Sequence, residues 1–338
     1  MRLKGRPLRP LLGALALLFL AACAKDAPQD YLEPAGPLAE KVDSLFRPVF
    51  WIATAIFFIV EGLFIVAIIK FRDRPGKADP KQIHGNAKAE IAWTIAPALL
   101  MLGVAIPTVV TIFDIQPKRT DDQLTVKVVG KQWWWEYEYL DTDPKIITAN
   151  ELVIPTDRQV FLELESSDVI HSFWVPKLAG KQDVVPGRTN TMTLIATEPG
   201  EYYGQCAEFC SVSHANMRLR VRAMEPTDFD AWVADMAAPA VQDSSVSEGR
   251  DLFVNNCAIC HQIRGPGDEY ASNTGPNLTH FAERKTFGAA TFDLGEEDLI
   301  RWVANARALK PGVIMPVFED ILSEAEIRSI VAYLLTLE

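Results

Sequence analysis

The 338-residue sequence predicts a multi-domain membrane protein with a two-helix transmembrane hairpin, an all-β domain and a small all-α domain. Three observations lead to this prediction. Two long apolar runs lie in the first third of the chain, short alternating runs fill the middle, and a C-x-x-C-H motif with a helical pattern occupies the end. The formal charge of −11 argues against nucleic acid as a partner, because that role needs a basic face.

The N-terminus has the composition of a secretion signal. A basic segment is followed by the apolar residues 11–20, and small residues then lead to Cys23. The sequence LAAC at this point resembles a bacterial lipobox. We therefore expect residues 1–22 to be a lipoprotein-type signal peptide and Cys23 to be lipidated; a soluble-type signal with an incidental cysteine is the alternative.

Two apolar runs, residues 49–69 and 91–113, are long enough to cross a membrane, since about 20 helical residues span the hydrocarbon core. The segment between them is rich in lysine and arginine, which places it in the cytoplasm. Two spans return the chain to the outer side. We therefore expect residues 23–115 to anchor a multi-pass protein in a bacterial inner membrane, with all later domains on the periplasmic side.

Residues 116–225 predict an all-β domain. Runs such as LTVKVVG and RQVFLELES alternate in polarity with period two, and Asp-Pro and Pro-Gly turn signals separate them. Short strands at this spacing favour a Greek-key sandwich or barrel. Residues 226–246 predict a short helix and a Pro/Ser-rich linker, and residues 247–338 form the last predicted domain.

The segment YYGQCAEFCSVSHANM concentrates metal-binding side chains: Cys206, Cys210, His214 and Met217. A disulfide is one interpretation, because an oxidising compartment permits it. A zinc tetrahedron completed by a distant histidine is another. Copper is the third, and it alone uses the soft thioether of the methionine. Two thiolates could bridge two copper ions, each needing one imidazole, and His171 in SDVIHSFWVP would supply the second.

These segments resemble subunit II of haem–copper cytochrome oxidases. The resemblance rests on SSDVIHSFWVPKLAGKQDVVPGRTN and GEYYGQCAEFCSVSHANMRL, extends to GNAKAEIAWTIAPALL and QWWWEYEY, and covers most of residues 40–224. It implies a cupredoxin Greek-key barrel that holds a dinuclear copper A centre. The implied copper ligands are His171, Cys206, the backbone carbonyl of Glu208, Cys210, His214 and Met217.

The same resemblance implies three further roles. The side chain of Glu208 would reach a magnesium ion at the boundary with subunit I. Trp133 would lie where electrons enter the copper domain. Glu90, at the start of the second apolar run, would be the entrance of a proton pathway. A carboxylate near a helix N-terminus is also favoured for purely electrostatic reasons.

The motif CAICH is typical of covalent haem c attachment in a secreted chain. Cys257 and Cys260 would form thioethers with one haem, and His261 would be an axial ligand. A redox C-x-x-C motif or a metal knuckle would leave the histidine unexplained. Met315 in VIMPVF is the expected second axial ligand, and a Met/His pair raises the haem potential. His280 is the rival ligand, and we expect it instead at the surface.

The rest of this domain is typical of a small helical protein. TGPNL resembles a haem-packing loop of class I cytochromes c, which implies an all-α class I cytochrome c domain. Ser323 and Glu326 predict a capping box at the start of the last helix. Acidic residues outnumber basic ones in this region, which favours an external electron donor with a basic docking face.

The combined resemblance is to caa-type oxidases. It implies subunit II of an aerobic respiratory cytochrome c oxidase that relays electrons from an external donor, through haem c and copper A, to a haem–copper subunit I. There O₂ is reduced to water with proton translocation, and subunit III would be a further partner. The electron-accepting subunit of a copper-A nitric oxide reductase and a stand-alone membrane-anchored electron carrier are the alternatives. The chain has no predicted catalytic residues of its own.

Overall fold

The structure is a computed structural model that describes residues 27–73, 75–76, 82, 84–240, 244–264, 272 and 274–338. The predicted signal peptide and Cys23 lie outside the described residues.

Two long helices, α1 (Pro37–Lys70) and α2 (Ala87–Asp114), precede the rest of the chain. Their most apolar stretches have mean hydropathies of 2.7 and 2.2, so both are long and apolar enough to cross a membrane. The ammonium of Lys41 lies 2.9 Å from the carboxylate of Asp114. This ion pair joins the start of α1 to the end of α2, and the two helices therefore form an antiparallel hairpin.

Ten strands follow the hairpin. They are β1 (Leu124–Lys131), β2 (Trp134–Tyr139), β3 (Ile146–Ala149), β4 (Glu151–Pro155), β5 (Val160–Ser166), β6 (His171–Trp174), β7 (Gln182–Val184), β8 (Asn190–Leu194), β9 (Gly200–Cys206) and β10 (Arg218–Met224). One sheet has the order β3-β2-β1-β5-β8 and the other β4-β10-β9-β6-β7. The β1–β5 and β4–β10 pairs are parallel and the other pairs are antiparallel.

A single hydrophobic core takes side chains from both sheets. Successive side chains of a strand face opposite sides, so the alternating residues of β1 and β5 reach this core. Val128 and Leu164 lie opposite each other in the β1–β5 register, and Trp135 and Phe173 are also fully buried. The all-β prediction is confirmed, and the core is the frame that carries the functional loop.

The β domain is tied to elements on both sides of it. Helix α3 (Pro226–Ala237) packs against it, with the ring of Trp232 5.2 Å from that of Tyr139. Before α1, the amide of Ala35 donates to the carbonyl of Lys177, and the amide of Thr197 donates to the carbonyl of Ala35. These bonds fix the base of the helical hairpin to the β domain.

The C-terminal domain is mainly helical, as predicted. Its elements are α4 (Ser247–Asn256), a short hairpin of β11 (Thr286–Phe287) and β12 (Phe292–Asp293), α5 (Glu296–Leu309) and α6 (Glu324–Leu334). Helix α6 begins with the predicted capping box, in which Ser323 and Glu326 accept from each other's backbone amides. Phe253 of α4 and Tyr333 of α6 pack together in a second hydrophobic core.

The expectation that His280 lies at the surface is wrong. Its side chain is buried, and Nε2 lies 3.0 Å from the carbonyl oxygen of Ala238, just after α3. The helical domain packs against α3 at this point. The contact between the two domains therefore buries His280, which the sequence of the helical domain does not predict.

Candidate functional site

The loop of residues 207–217 connects β9 to β10 at one end of the β domain. The amide of Cys206 donates to the carbonyl of Met217 over 2.8 Å, which closes the loop at its base. Strand β6 pairs with β9, with Phe173 opposite Cys206. This register brings His171, at the start of β6, beside the loop.

The two loop cysteines are free thiols, and their sulfur atoms lie 3.8 Å apart. Each also has a histidine neighbour. The sulfur of Cys206 is 3.9 Å from Nδ1 of His171, and that of Cys210 is 3.6 Å from Nδ1 of His214. The arrangement is thus a pair of sulfurs with one imidazole on either side.

Two further donor atoms complete the cluster. The thioether sulfur of Met217 lies 3.8 Å from the sulfur of Cys210, and the carbonyl oxygen of Glu208 lies 3.2 Å from the sulfur of Cys206. The methionine is fully buried, whereas the side chain of Glu208 is exposed. All six atoms expected from the sequence are therefore brought to one place.

Neighbouring groups fix the ring of His171. Its Nε2 hydrogen-bonds to a carboxylate oxygen of Asp168 at 2.7 Å, which leaves Nδ1 facing the sulfur of Cys206. Outer hydrogen bonds of this kind orient a metal-binding histidine and set its tautomer. A Cβ atom at Gly130 would lie 2.8 Å from the ring, so only glycine leaves room for the imidazole there.

The two thiols share their ionisation unequally. The hydrogen bond with Cys210 lowers the pKa of Cys206 to about 3, and the bond with His171 acts in the same direction, although burial opposes both. The same pairing, together with burial, raises the pKa of the Cys210 thiol. Burial would lower the pKa of His171, but its bonds to Cys206 and Asp168 outweigh burial and raise it. The lowered pKa of Cys206 favours its thiolate, which is the form that binds metal.

This donor set fits copper. Thiolate, imidazole and thioether ligands together select copper, because zinc has no use for a thioether. His171, Cys206 and Cys210 offer ligand atoms that all lie within 4.8 Å of one another, and all three are buried. A buried, sulfur-rich site is well suited to a soft ion.

Trp133 connects this loop to the second domain. Its indole nitrogen donates to the carbonyl oxygen of Cys210 over 2.8 Å, and the side-chain amide of Gln132 donates to the same oxygen over 2.9 Å. Trp135 belongs to the core of the β domain. Trp134 instead borders a cavity in the helical domain. Trp133 belongs to that core and also borders the cavity, so of the three tryptophans it alone lies in both surroundings.

The helical domain contains a cavity of about 280 Å³ that is bordered mainly by apolar side chains. Cys257, Cys260, His261 and Met315 all lie on its wall, as do Trp133 and Trp134 of the β domain. Nδ1 of His261 hydrogen-bonds to the carbonyl of Pro276 at 2.8 Å, which leaves Nε2 available as a ligand. Burial lowers the pKa of this histidine, so the imidazole is neutral and able to bind iron.

A half-buried arginine, one of whose guanidinium nitrogens donates to the carbonyl of Asn277, suits the cavity to an anionic cofactor. Arg284 lies on the wall, and among the described residues nothing accepts a hydrogen bond from its buried Nε. Burial lowers its pKa to about 10, so it is still charged at neutral pH. A guanidinium in this position would pair with a carboxylate. Haem carries two propionates, and the wall residues therefore fit haem.

A second arginine supports the loop that carries Met315. The guanidinium of Arg307 donates to the carbonyl of Met315 over 2.9 Å and to that of Ile314 over 3.1 Å. These bonds hold the main chain at Ile314 and at the predicted ligand Met315.

Glu90, the predicted proton entrance, lies in the first turn of α2, where its carboxylate accepts a hydrogen bond from the amide of Asn86.

Sequence reasoning missed four polar or aromatic residues of these sites: Asp168, Trp134, Arg284 and Arg307. Asp168 lies three residues before His171, and this proximity was a usable signal. The arginines and the second tryptophan carry no motif. Their positions follow from packing between distant segments, which one sequence does not disclose.

A helical hairpin, a β domain with a sulfur-rich loop and a helical domain with a C-x-x-C-H cavity together define a membrane-anchored redox protein. Family models match all three parts. The cytochrome c oxidase subunit II transmembrane domain matches residues 27–110, the periplasmic domain of the same subunit matches 144–224, and cytochrome c matches 246–338.

Relatives match over nearly the full length. The chain is 36% identical to cytochrome c oxidase subunit 2 of Alkalihalophilus pseudofirmus over 331 residues, which cover 95% of this chain and 94% of that protein. Its identity to cytochrome c oxidase subunit 2 of Bacillus sp. (strain PS3) is 37% over 348 residues, which cover 97% of this chain and 96% of that protein. For Bacillus subtilis it is 34% over 345 residues, with 96% of each covered.

The chain belongs to the cytochrome c oxidase subunit II family, with a cytochrome c domain at its C-terminal end. It is a component of an oxidoreductase complex of the membrane, in which subunit I is its partner. The matched domains imply that it binds copper and haem. Its two helices anchor a soluble part that lies outside the membrane.

Proposed function

We propose that this chain is the electron-accepting subunit of a caa-type aerobic oxidase in a bacterial inner membrane, with its redox domains on the periplasmic side. When bound, haem c and a dinuclear copper A centre would each take up and release single electrons between an external donor and the O₂-reducing, proton-translocating subunit I. One observation carries the proposal: Trp133 contacts the sulfur-rich loop and also borders the cavity of the helical domain.

The copper site would use the clustered donors in defined roles. The thiolates of Cys206 and Cys210 and the imidazoles of His171 and His214 would together hold the copper. Met217 and the carbonyl of Glu208 would complete the coordination. Asp168 would hold His171 in its ligating tautomer. His171, both cysteines and Met217 are buried, which keeps water away from their donor atoms, so little rearrangement is needed when the charge of the site changes.

Cys257 and Cys260 would hold the haem covalently, and His261 and Met315 would bind its iron. The hydrogen bond to Pro276 orients the imidazole, and Arg307 holds the methionine loop. Arg284 would neutralise a propionate inside the apolar wall. The chain's own contribution is to exclude water and to fix both axial side chains.

Further roles remain predictions that follow from the family. Trp133 would conduct electrons towards copper, and the exposed carboxylate of Glu208 would bind magnesium with subunit I. Glu90 would admit protons, Cys23 would carry a lipid, and subunit III would join the complex. The external donor would be a cytochrome c or another periplasmic carrier.

The test is to purify the complex in mild detergent and to measure its cofactors and turnover. We expect two copper ions and one haem c per chain, an electron spin resonance signal shared by two copper nuclei, and O₂ uptake with a reduced donor. Cys210→Ser should lose the shared signal and retain the haem. Zinc, a single copper ion or a disulfide in the parent protein would refute the proposal.

Comparison of O₂ with nitric oxide as acceptor separates the oxidase from a nitric oxide reductase. Faster turnover with nitric oxide, or a subunit I typical of that enzyme in the preparation, would favour the reductase. Recovery of the chain without any large membrane partner would favour a stand-alone carrier.

A further inference from the structure

The two soluble domains meet through specific polar contacts as well as through the linker. A carboxylate oxygen of Glu151, in the β domain, accepts from the amides of Lys285 and Thr286 in the helical domain. Arg264 donates to the carbonyl of Met236 in α3 over 2.7 Å. The helical domain is therefore docked in one orientation, and flexible tethering alone does not describe it.

Lys310 is the most unusual of these contacts. It follows α5 directly, and only 2% of its surface is exposed. Its ammonium donates to the carbonyl of Trp133 over 2.6 Å and to that of Gly288 over 3.1 Å. No salt bridge includes Lys310 among the residues that the structure describes. Burying an ammonium between two neutral carbonyls is costly, and burial lowers its pKa to about 7.

The position of Lys310 connects the two predicted redox sites. Gly288 borders the cavity of the helical domain, and Lys310 borders it as well. The residue on its other side is Trp133, whose indole contacts the carbonyl of Cys210. Hydrogen bonds thus run from the cavity wall through Lys310 to the tryptophan, and from there to a predicted copper ligand.

The loop after Lys310 is shaped for this contact. A Cβ atom at Gly312 would lie 2.4 Å from the ring of Trp133, and this glycine has a φ of +89°. The hydroxyl of Ser213, in the sulfur-rich loop, donates to the carbonyl of Pro311. The indole therefore packs directly on the main chain of the helical domain, with the ammonium at one side.

We propose that Lys310 is a positioning residue for electron transfer between the two domains: its ammonium fixes the wall of the haem cavity to the main chain of Trp133. This inference rests on the proposed function and adds to it a residue outside every ligand set. Lys310 acts through Trp133 and touches no reacting atom. Its role is to keep the tryptophan, the cavity wall and the sulfur-rich loop in fixed positions relative to one another.

The experiment compares Lys310→Met, Lys310→Arg and Arg264→Met in the purified holo-complex. Arg264→Met is the matched control, because it also removes a cation that donates to a carbonyl across the same domain contact. Electrons would be injected into the haem by a light pulse, and the copper absorption would report their arrival. The rate of electron transfer falls with the distance between donor and acceptor, so we expect Lys310→Met, which loosens the contact with Trp133, to slow the transfer severalfold.

The other variants should separate positioning from general loosening. Lys310→Arg keeps a cationic hydrogen-bond donor at this position and should retain most of the transfer rate of the parent. Arg264→Met should leave the transfer rate within about twofold of the parent, since the contact of Arg264 lies away from Trp133. Amide hydrogen exchange of residues 312–314 should accelerate in Lys310→Met alone. The copper spin resonance signal and the haem spectrum should be unchanged in all three variants.

A steric variant provides a second line of evidence if Lys310→Met fails to assemble. Gly312→Ala leaves the ammonium in place but pushes the loop away from Trp133, and it should slow the transfer as well. An unchanged rate in Lys310→Met or, if that variant is lost, in Gly312→Ala overturns the inference, as does equal slowing in Arg264→Met. A parent complex that lacks either cofactor or transfers no electrons refutes the proposed function itself.

Discussion

The sulfur-rich loop and the cavity of the helical domain differ in what holds them together. Around the loop, each donor side chain has another within 4 Å on a frame of paired strands, and backbone hydrogen bonds close the base of the loop. Around the cavity, the predicted ligands line a space of about 280 Å³. The loop is assembled by its own domain, whereas the helical domain is arranged around a space that its cofactor is expected to fill.

This difference separates two ways of binding a redox group. A metal that enters a preorganised loop adds stability by mass action, and the fold persists without it. A haem that fills the interior of a small domain adds to a core that is limited by the size of the domain, because small domains bury a smaller share of their surface on folding than large ones do. Removal of each group should therefore have very different consequences for folding.

Loss of the haem should have the largest effect. In Cys257→Ala/Cys260→Ala, the cavity would stay open, and at about 24 cal/mol per Å³ a volume of about 280 Å³ costs roughly 5–7 kcal/mol. That is comparable with the whole stability of a small domain. We expect amides of residues 247–338 to exchange rapidly while those of β1 and β5 stay protected. Full protection of the helical domain in this variant would contradict the comparison.

Loss of copper should affect the site much more than the fold. Cys210→Ser removes one of the proposed copper-binding sulfurs. We therefore expect the copper content of each chain to fall from the proposed two ions to one or none. The β domain should remain folded, because Cys206, Cys210 and Met217 lie at one end of its core and most of that core is formed by strand residues such as Val128 and Leu164. Metal analysis and circular dichroism measure the two effects. Unfolding of the β domain would show that the loop is not preassembled.

An outer contact should have an intermediate effect. Asp168→Asn weakens the hydrogen bond that orients His171. Loss of such a partner typically costs about 10- to 100-fold in metal affinity. Titration against a copper chelator would measure the change, with Asp183→Asn as an exposed control on β7. Unchanged affinity would mean that the strands alone fix the imidazole.

The smallest expected effect is at a helix start. Ser323→Ala removes the hydroxyl that accepts from the amide of Glu326, and the loss of such a cap costs about 1 kcal/mol. Chemical denaturation of the holo-protein would report the change. Ser329→Ala, inside α6, is the control and should cost less. An effect of several kcal/mol would mean that the cap also supports the haem cavity.

Much of the fold could be predicted because its signals are local. The apolar runs predict α1 and α2, and polarity alternation predicts strands such as β5. The spacing of Cys206, Cys210, His214 and Met217 predicts a cluster because one loop carries them all. His171 could be named as the second imidazole because two copper ions would each need one, but the pairing of β6 with β9 that places it beside the cluster has no local signal.

The contacts between domains could not be predicted. Lys310 and Trp133 are far apart in the sequence, and the lysine binds a main-chain carbonyl, which every residue offers. His280 was expected at the surface for the same reason: its partner, the carbonyl of Ala238, leaves no trace in composition or spacing. Patterns in a sequence describe which face of an element is buried, but not which neighbour buries it.

The pairing of Ala35 with the β domain has a consequence for the membrane. Two backbone hydrogen bonds join the residues just before α1 to the chain near Lys177 and Thr197. The β domain is thus fixed to the start of the helical hairpin, and no flexible linker separates the two. The hairpin therefore sets the height of the β domain above the membrane. The distance from this domain to a membrane partner beside the hairpin should stay the same from one turnover to the next.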